Sequence, residues 1–267
     1  MTPSRRTILA TLALAGCGGA VHAARAKVPP TTGTTTPSPP TAASTSPSAT
    51  PSATPSVEPP TSTSAPGGPA VEIVNGSRSK SQVALTFHGN GDPALAEALL
   101  QAAEAKGAHI TVFAVGNWLA VNPALGRRIL AGGHGLANHT YTHPDLSVLS
   151  ETGVEDEFAK ARDVLVQVSG NNGRYARPSQ MNRSTPLVRA AAGAAGYATV
   201  VAFDVDPSDY LDPGASLVIS RTLAAVQRGS IVSMHLGHAG TVQALPSILD
   251  GLATRGLTPV TVQTLLT

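Results

Sequence analysis

From Val71 to Thr267, short apolar runs alternate with helical patterns, and this alternation limits the chain to a small set of folds. The strand-like runs are 82-QVALTFH-88, 110-ITVFAVG-116, 134-HGLANHT-140, 175-YARPS-179, 197-YATVVAFDVD-206, 231-IVSMH-235 and 258-TPVTV-262. Between them lie helical stretches at 93–107, 123–133, 151–170, 185–196, 216–227 and 241–256, several opened by Pro and most closed by Gly. The runs are apolar without clean alternation, as expected of strands buried on both faces of a parallel sheet. The pattern predicts an α/β fold, either a parallel barrel or a doubly wound sheet.

The residues before Val71 are of another kind. Arg5 and Arg6 precede an apolar run, Ile8 to Ala15, that is too short to cross a bilayer as a helix and reads as a signal-peptide core. Ser4 to Leu9 resembles a twin-arginine export signal. Leu14-Ala15-Gly16-Cys17 resembles a bacterial lipobox, which makes Cys17 the expected lipidated first residue and membrane anchor of the mature protein; cleavage near Ala23 with release is the alternative. Cys17 is the single cysteine, so the remainder holds no disulfide and no thiolate site. Residues 28–70 contain 12 Pro, 11 Thr and 8 Ser with Glu58 as the one charge. Such a stretch buries too little apolar surface to fold and is expected to be an extended linker. The expected organisation is therefore a signal region at 1–27, a linker at 28–70 and an extracytoplasmic domain at 71–267. Arg5, Arg6, Arg25 and Lys27 all precede that domain, which carries 14 basic against 15 acidic residues. Nothing in this balance suits nucleic acid.

In parallel α/β folds the chemistry gathers at the C-terminal ends of the strands. His88 ends the first run, His139 and His143 follow the third, and Arg177 lies in the fourth. Asp204, Asp206 and Asp209 follow the fifth, and His235 and His238 the sixth. That placement predicts a functional cluster rather than a polar rim. In 138-NHTYTHPDLS-147, Pro144 and the poor helix formers between the histidines predict a loop, which can still aim two imidazoles at one ion. The stretch 84-ALTFHGNGDP-93 ends a strand in a histidine and a glycine loop holding one acid, Asp92.

The ordered set of motifs resembles the polysaccharide deacetylase family (the NodB-homology domain, carbohydrate esterase family four) over nearly all of residues 80–267. Ala84-Leu85-Thr86-Phe87 resembles the start of the family's T-F-D-D-G motif. His139-Thr140-Tyr141-Thr142-His143 matches H-[S/T]-x-x-H, and Ala176-Arg177-Pro178 resembles the R-P-P motif. Asp204 to Tyr210 resembles the fourth motif, and Gly229 to His235 resembles the motif containing L-x-H. The resemblance implies a distorted (β/α) barrel of about seven parallel strands. It also implies hydrolytic removal of N-acetyl groups from the amino sugars of peptidoglycan or a chitin-like glycan, by a monomer using a divalent metal, usually zinc. Carried over, His139 and His143 become metal ligands and His235 the general acid, with Asp206 orienting it. The backbone N–H of Gln180 becomes an oxyanion donor, and Tyr210 stands in place of the family's usual Trp as a smaller sugar platform; with few aromatic residues in the chain, Tyr141 is a candidate for a single stacking contact. Where the family has Asp-Asp, this chain has His88-Gly89, and Arg177 loses the carboxylate it would steady. Three readings follow: His88 is a third metal ligand with Asp92 as base; Asp92 binds the metal with His88 as base; or the domain is an inactive glycan binder. A related hydrolase of a non-sugar amide is a further alternative, because Ser233 and Tyr210 make the acyl pocket more polar than the family's Leu and Trp.

Overall fold

The computed structural model describes residues 68–267; the signal-like segment, Cys17 and the linker up to residue 67 lie outside the described residues. The strands are β1 Val71–Ile73, β2 Gln82–Gly89, β3 Thr111–Ala114, β4 Gly135–Asn138, β5 Thr199–Val201, β6 Ile231–His235 and β7 Thr258–Pro259. The helices are α1 Pro93–Glu104, α2 Gly116–Val121, α3 Pro123–Ala131, α4 Glu151–Ser169, α5 Pro186–Ala194, α6 Ala215–Ala225, α7 Ala239–Thr254 and α8 Val262–Leu266. Every ladder is parallel: β4-β3-β2-β6 in order, with β7 on β2 and β1 on β5. Isolated parallel bridges at Asn138–Ala176, Ala176–Val200 and Val205–Val232 carry the pairing on. The result is a distorted (β/α) barrel in which the fourth expected strand, 175–179, has shrunk to a bridge.

Side-chain alternation explains where the polar groups stand. On β2, Val83, Leu85 and Phe87 join the core shared with the outer helices. Ala84 faces the inner cluster, Thr86 reaches inward to Arg177, and His88 closes the inward row. On β6 the same two-residue period sends Val232 and Met234 outward, followed by Leu236 just past the strand, and Ile231, Ser233 and His235 inward. His88 and His235 are register partners, so two apolar strands deliver two imidazoles side by side at the barrel mouth.

The helices form for ordinary reasons. On α1, Ala96, Leu99, Leu100 and Ala103 bury one face at helical spacing; each leucine is worth roughly 1.5–3 kcal/mol when fully buried. Helix α4 is capped by the Ser150 hydroxyl and stopped by Gly170 in the left-handed region. Two expectations shift. The run 258–262 pairs only through Thr258 and Pro259, because Pro259 offers no N–H to the ladder and Thr261 caps a helix beginning at Val262. Strand β1 was hidden in the sequence by its three-residue length. Among the described residues no helix is long and apolar enough to cross a membrane.

Candidate active site

The loop after β4 is held in an unusual shape. Thr140 and His143 both have positive φ, 63° and 61°, conformations that each cost roughly 1–3 kcal/mol for a residue other than glycine. The strain is offset by a dense set of bonds. Asn138 Oδ1 accepts from Thr140 N–H, while its Nδ2 donates to Phe158 O and to the Tyr197 hydroxyl. Glu157 on α4 accepts from the backbone N–H of Tyr141 and of Thr142 and from the Thr142 hydroxyl, each at 2.8 Å. Gln180, also at positive φ, donates from its side chain to His143 O. Glu157 is a supporting residue that sequence reasoning missed.

This loop brings His139 and His143 up to His88. The nitrogens that the three histidines can offer lie within 4.8 Å of one another. His139 Nδ1 lies 3.0 Å from Arg177 O, so it carries the proton and leaves Nε2 free to face the cluster. His139 Nε2 is 3.1 Å from His88 Nδ1, and His88 Nε2 is 3.0 Å from the Ser233 hydroxyl. Burial first, then the neighbouring imidazoles, holds His88 and His139 well below the usual histidine range; burial also lowers His143. Neutral imidazoles at this spacing are the donor set that zinc-like ions take, with metal–nitrogen bonds of roughly 2.0–2.1 Å. The triad can hold a metal ion.

Among the described residues no carboxylate completes it. A Cβ at Gly89 would lie 2.7 Å from Val112 Cγ1 and 3.0 Å from Ala114 Cα, so β2–β3 packing has closed over that position. Asp92 does not fold back: its carboxylate accepts from Ala94 N–H as the N-cap of α1, and it lines neither cavity at the mouth. Arg177 is fully buried and, among the described residues, has no acidic partner. It donates to Val201 O, Ala202 O and the Thr86 hydroxyl and lies 4.1 Å above the Phe113 ring. Burial pulls its guanidinium down to about 9.

The expected partner of His235 needs correcting. Asp209, not Asp206, meets it: Asp209 Oδ1 lies 2.8 Å from His235 Nδ1, and Oδ2 accepts from His235 N–H and the Thr241 hydroxyl. A 3-10 turn, Asp209–Leu211, flanked by Ser208 and Asp212 in the left-handed region, swings Asp209 inward. Asp206 is exposed and caps Ser208 N–H. Asp204 binds Arg78, Ser230 and Ile231 N–H away from the mouth.

Two cavities meet at the histidines. The larger, about 480 Å³, lies between His88, His143 and His235 on one side and Met181, Phe203, Asp206 and Tyr210 on the other, with Gln180 at its edge. Tyr210 is half exposed, 5.6 Å edge-on from His235. Tyr141 is instead turned against Gly116 and the outer core and reaches neither cavity. The smaller cavity, about 170 Å³, is lined by His88, His143, His235, His238, Asn90 and two glycines.

A family model described as polysaccharide deacetylase matches residues 75–200. The chitooligosaccharide deacetylase of Bradyrhizobium sp. (strain ANU 289) is 33% identical over 205 residues, covering 68% of this chain and 88% of that protein. The solved peptidoglycan N-acetylglucosamine deacetylase Bc1960 superposes with a TM-score of 0.69 at 25% identity, over 73% of this chain and 92% of that one. A protein of Bacillus anthracis described as a CE4 family pseudoenzyme superposes equally well, with a TM-score of 0.69 over 74% of this chain and 69% of its own. At 22% identity that likeness is one of fold.

Proposed function

The chain belongs to the polysaccharide deacetylase family, and from that premise we propose that it is a metal-dependent hydrolase removing N-acetyl or similar acyl groups from the amino sugars of a cell-envelope glycan. The observation that carries this reading is the convergence of His88, His139 and His143 within 4.8 Å, beside the His235–Asp209 pair, at the wall of a cavity wide enough for a sugar ring. In this reading the three imidazoles hold the ion, zinc by donor type. When bound, the ion supplies Lewis acidity toward an amide carbonyl and toward water. His235, held by Asp209 through Nδ1, presents Nε2 to the cavity and delivers a proton to the departing amine. Gln180 and Tyr210 both line the larger cavity, and in this reading the Gln180 N–H serves the acyl oxygen and Tyr210 a sugar face. Export through the 1–27 region, lipidation at Cys17 and a 28–70 tether would place the 71–267 domain against the envelope, as a monomer.

A second reading is favoured by one observation: among the described residues the triad has no carboxylate ligand, and Gly89 leaves no room for one. In that reading the domain binds glycan without turnover. Bound metal per chain, with acetate release from N-acetylglucosamine oligomers, separates the two. The hydrolase reading expects about one ion per chain, lost in His139→Ala, together with acetate release by the parent protein. The binder reading expects sugar affinity and no release.

A further inference from the structure

The hydrolase reading leaves one role empty. Water must lose a proton as it attacks, and the acid expected to take it, Asp92, caps α1 instead. His88 has one ring nitrogen facing His139 and the other at Ser233.

The fold supplies another candidate. Asp212 Oδ1 lies 2.8 Å from His238 Nδ1, repeating one turn further on the Asp209–His235 pair. The two imidazoles stand 5.6 Å apart, ring centre to ring centre. Asp212 fixes the proton on Nδ1 and leaves His238 Nε2 as an acceptor. His238 also precedes α7, so its backbone stands on a rigid element. Its loop is pressed against the loop of His88: a Cβ at Gly91 would lie 2.7 Å from Gly237 Cα, and one at Gly237 would lie 2.9 Å from Asn90 O. Only glycines permit that approach, and it makes His238 a wall of the small cavity.

The two cavities divide the work. His235 lines both and can reach an amide nitrogen in the large one. His238 lines only the small one, whose walls are imidazoles, Asn90 and glycine backbone. A space of about 170 Å³ with that polar lining has room for water.

We propose that His238, oriented by Asp212, is the general base of this chain and that the small cavity is the water side of the active site. This rests on the hydrolase reading above. One O–H bond of the attacking water breaks and its proton passes to His238 Nε2, as the oxygen bonds to the acyl carbon. The C–N bond then breaks with its electron pair on nitrogen, which takes a proton from His235. A carboxylic acid and a free amine leave, and solvent returns the proton balance of the two histidines.

The test uses the full chain loaded with zinc, with acetate release from N-acetylglucosamine oligomers and bound zinc measured in parallel. His238→Ala is expected to lower kcat by about 10²–10⁴-fold with KM little changed, as for loss of a general base. Zinc content stays at the parent value, which a metal ligand's loss would not allow. Added imidazole restores part of kcat in His238→Ala and none in His139→Ala. Asp212→Asn lowers kcat to a smaller degree at an unchanged KM. His238→Gln, matched in shape and still folded by thermal melt, loses kcat as the Ala variant does. An active parent whose His238→Ala variant keeps kcat within about twofold overturns the assignment alone. So does loss of zinc from that variant, or a comparable kcat loss in Asp206→Asn with His238→Ala unaffected. A folded, zinc-loaded parent that releases no acetate overturns the hydrolase reading, and this assignment falls with it.

Discussion

Asp209 and His235 are joined twice, side chain to side chain and carboxylate to backbone N–H, with the carboxylate wholly buried. The same Oδ2 accepts from Thr241 on α7, so one acid ties β6, α7 and the 3-10 turn together. Removing it orphans three donors at once. Asp209→Ala is expected to destabilise the fold by roughly 1–3 kcal/mol, the penalty for leaving buried polar groups unpaired. Asp209→Asn is expected to lower kcat far more than it raises KM. Asp206→Asn, on an exposed turn that does not touch His235, is expected to leave kcat and the fold's stability nearly unchanged. Steady-state kinetics and urea unfolding of the variants check the contrast.

The close approach of Gly91 and Gly237 gives a second expectation. Gly91 sits at φ 99° with Gly237 Cα where its Cβ would be. Gly91→Ala combines backbone strain with a backbone clash, each of order 1–3 kcal/mol. Trp118 Nε1 donates to Gly91 O, so the strain passes to α2 as well. The expected result is a lower melting temperature together with weaker metal binding, because the loop that moves begins at His88.

Glu157 holds the loop from sixteen residues away, through three donors on two adjacent residues. Glu157→Gln keeps the shape and loses the charge. Supporting residues of metal ligands are typically worth about 10–100-fold in metal affinity. A zinc titration of Glu157→Gln is expected to show a loss in that range, with the helix content of the fold retained.

The sequence made the large pattern legible because strand and helix periods survive averaging over many residues. β6 runs from Ile231 to His235 as expected, and the histidines at strand ends do meet. Asp209 was not legible, since its choice over Asp206 is made by two left-handed residues, Ser208 and Asp212, that are not glycine. The Gly91–Gly237 contact joins loops far apart in the chain, and no local signal marks it. Asp92 was legible after all: Asp-Pro before an apolar periodic run is a helix start, and that ordinary capping role prevails over the catalytic one.

Acid is expected to weaken the metal-free fold. His88 and His139 lie well below their unfolded value of about 6.5, mainly through burial. Their neutral forms are therefore favoured by folding. The unfolded chain binds more protons below that value, so stability is full above about pH 6.5 and declines as pH falls toward the folded values. Urea midpoints of the metal-free protein are expected to drop steadily below pH 6.5, and His139→Gln is expected to flatten that slope.

Gly89 decides whether the family's missing carboxylate can simply be put back. The residue is the buried last position of β2, paired with Ala114 of β3, and an added Cβ meets Val112 Cγ1 at 2.7 Å, Ala114 Cα at 3.0 Å and Phe113 O at 3.3 Å. Valine has little rotamer freedom, and the other two contacts are backbone. Gly89→Asp is therefore expected to lose roughly 1–3 kcal/mol by overpacking, without tighter metal binding. Adding Val112→Ala relieves only the first contact and is expected to recover part of the stability. Thermal melts and zinc titrations of the single and double variants check this. A Gly89→Asp protein that melts like the parent and binds zinc more tightly would show that the strand pair can open, and that the three-histidine arrangement is not imposed by packing at this position.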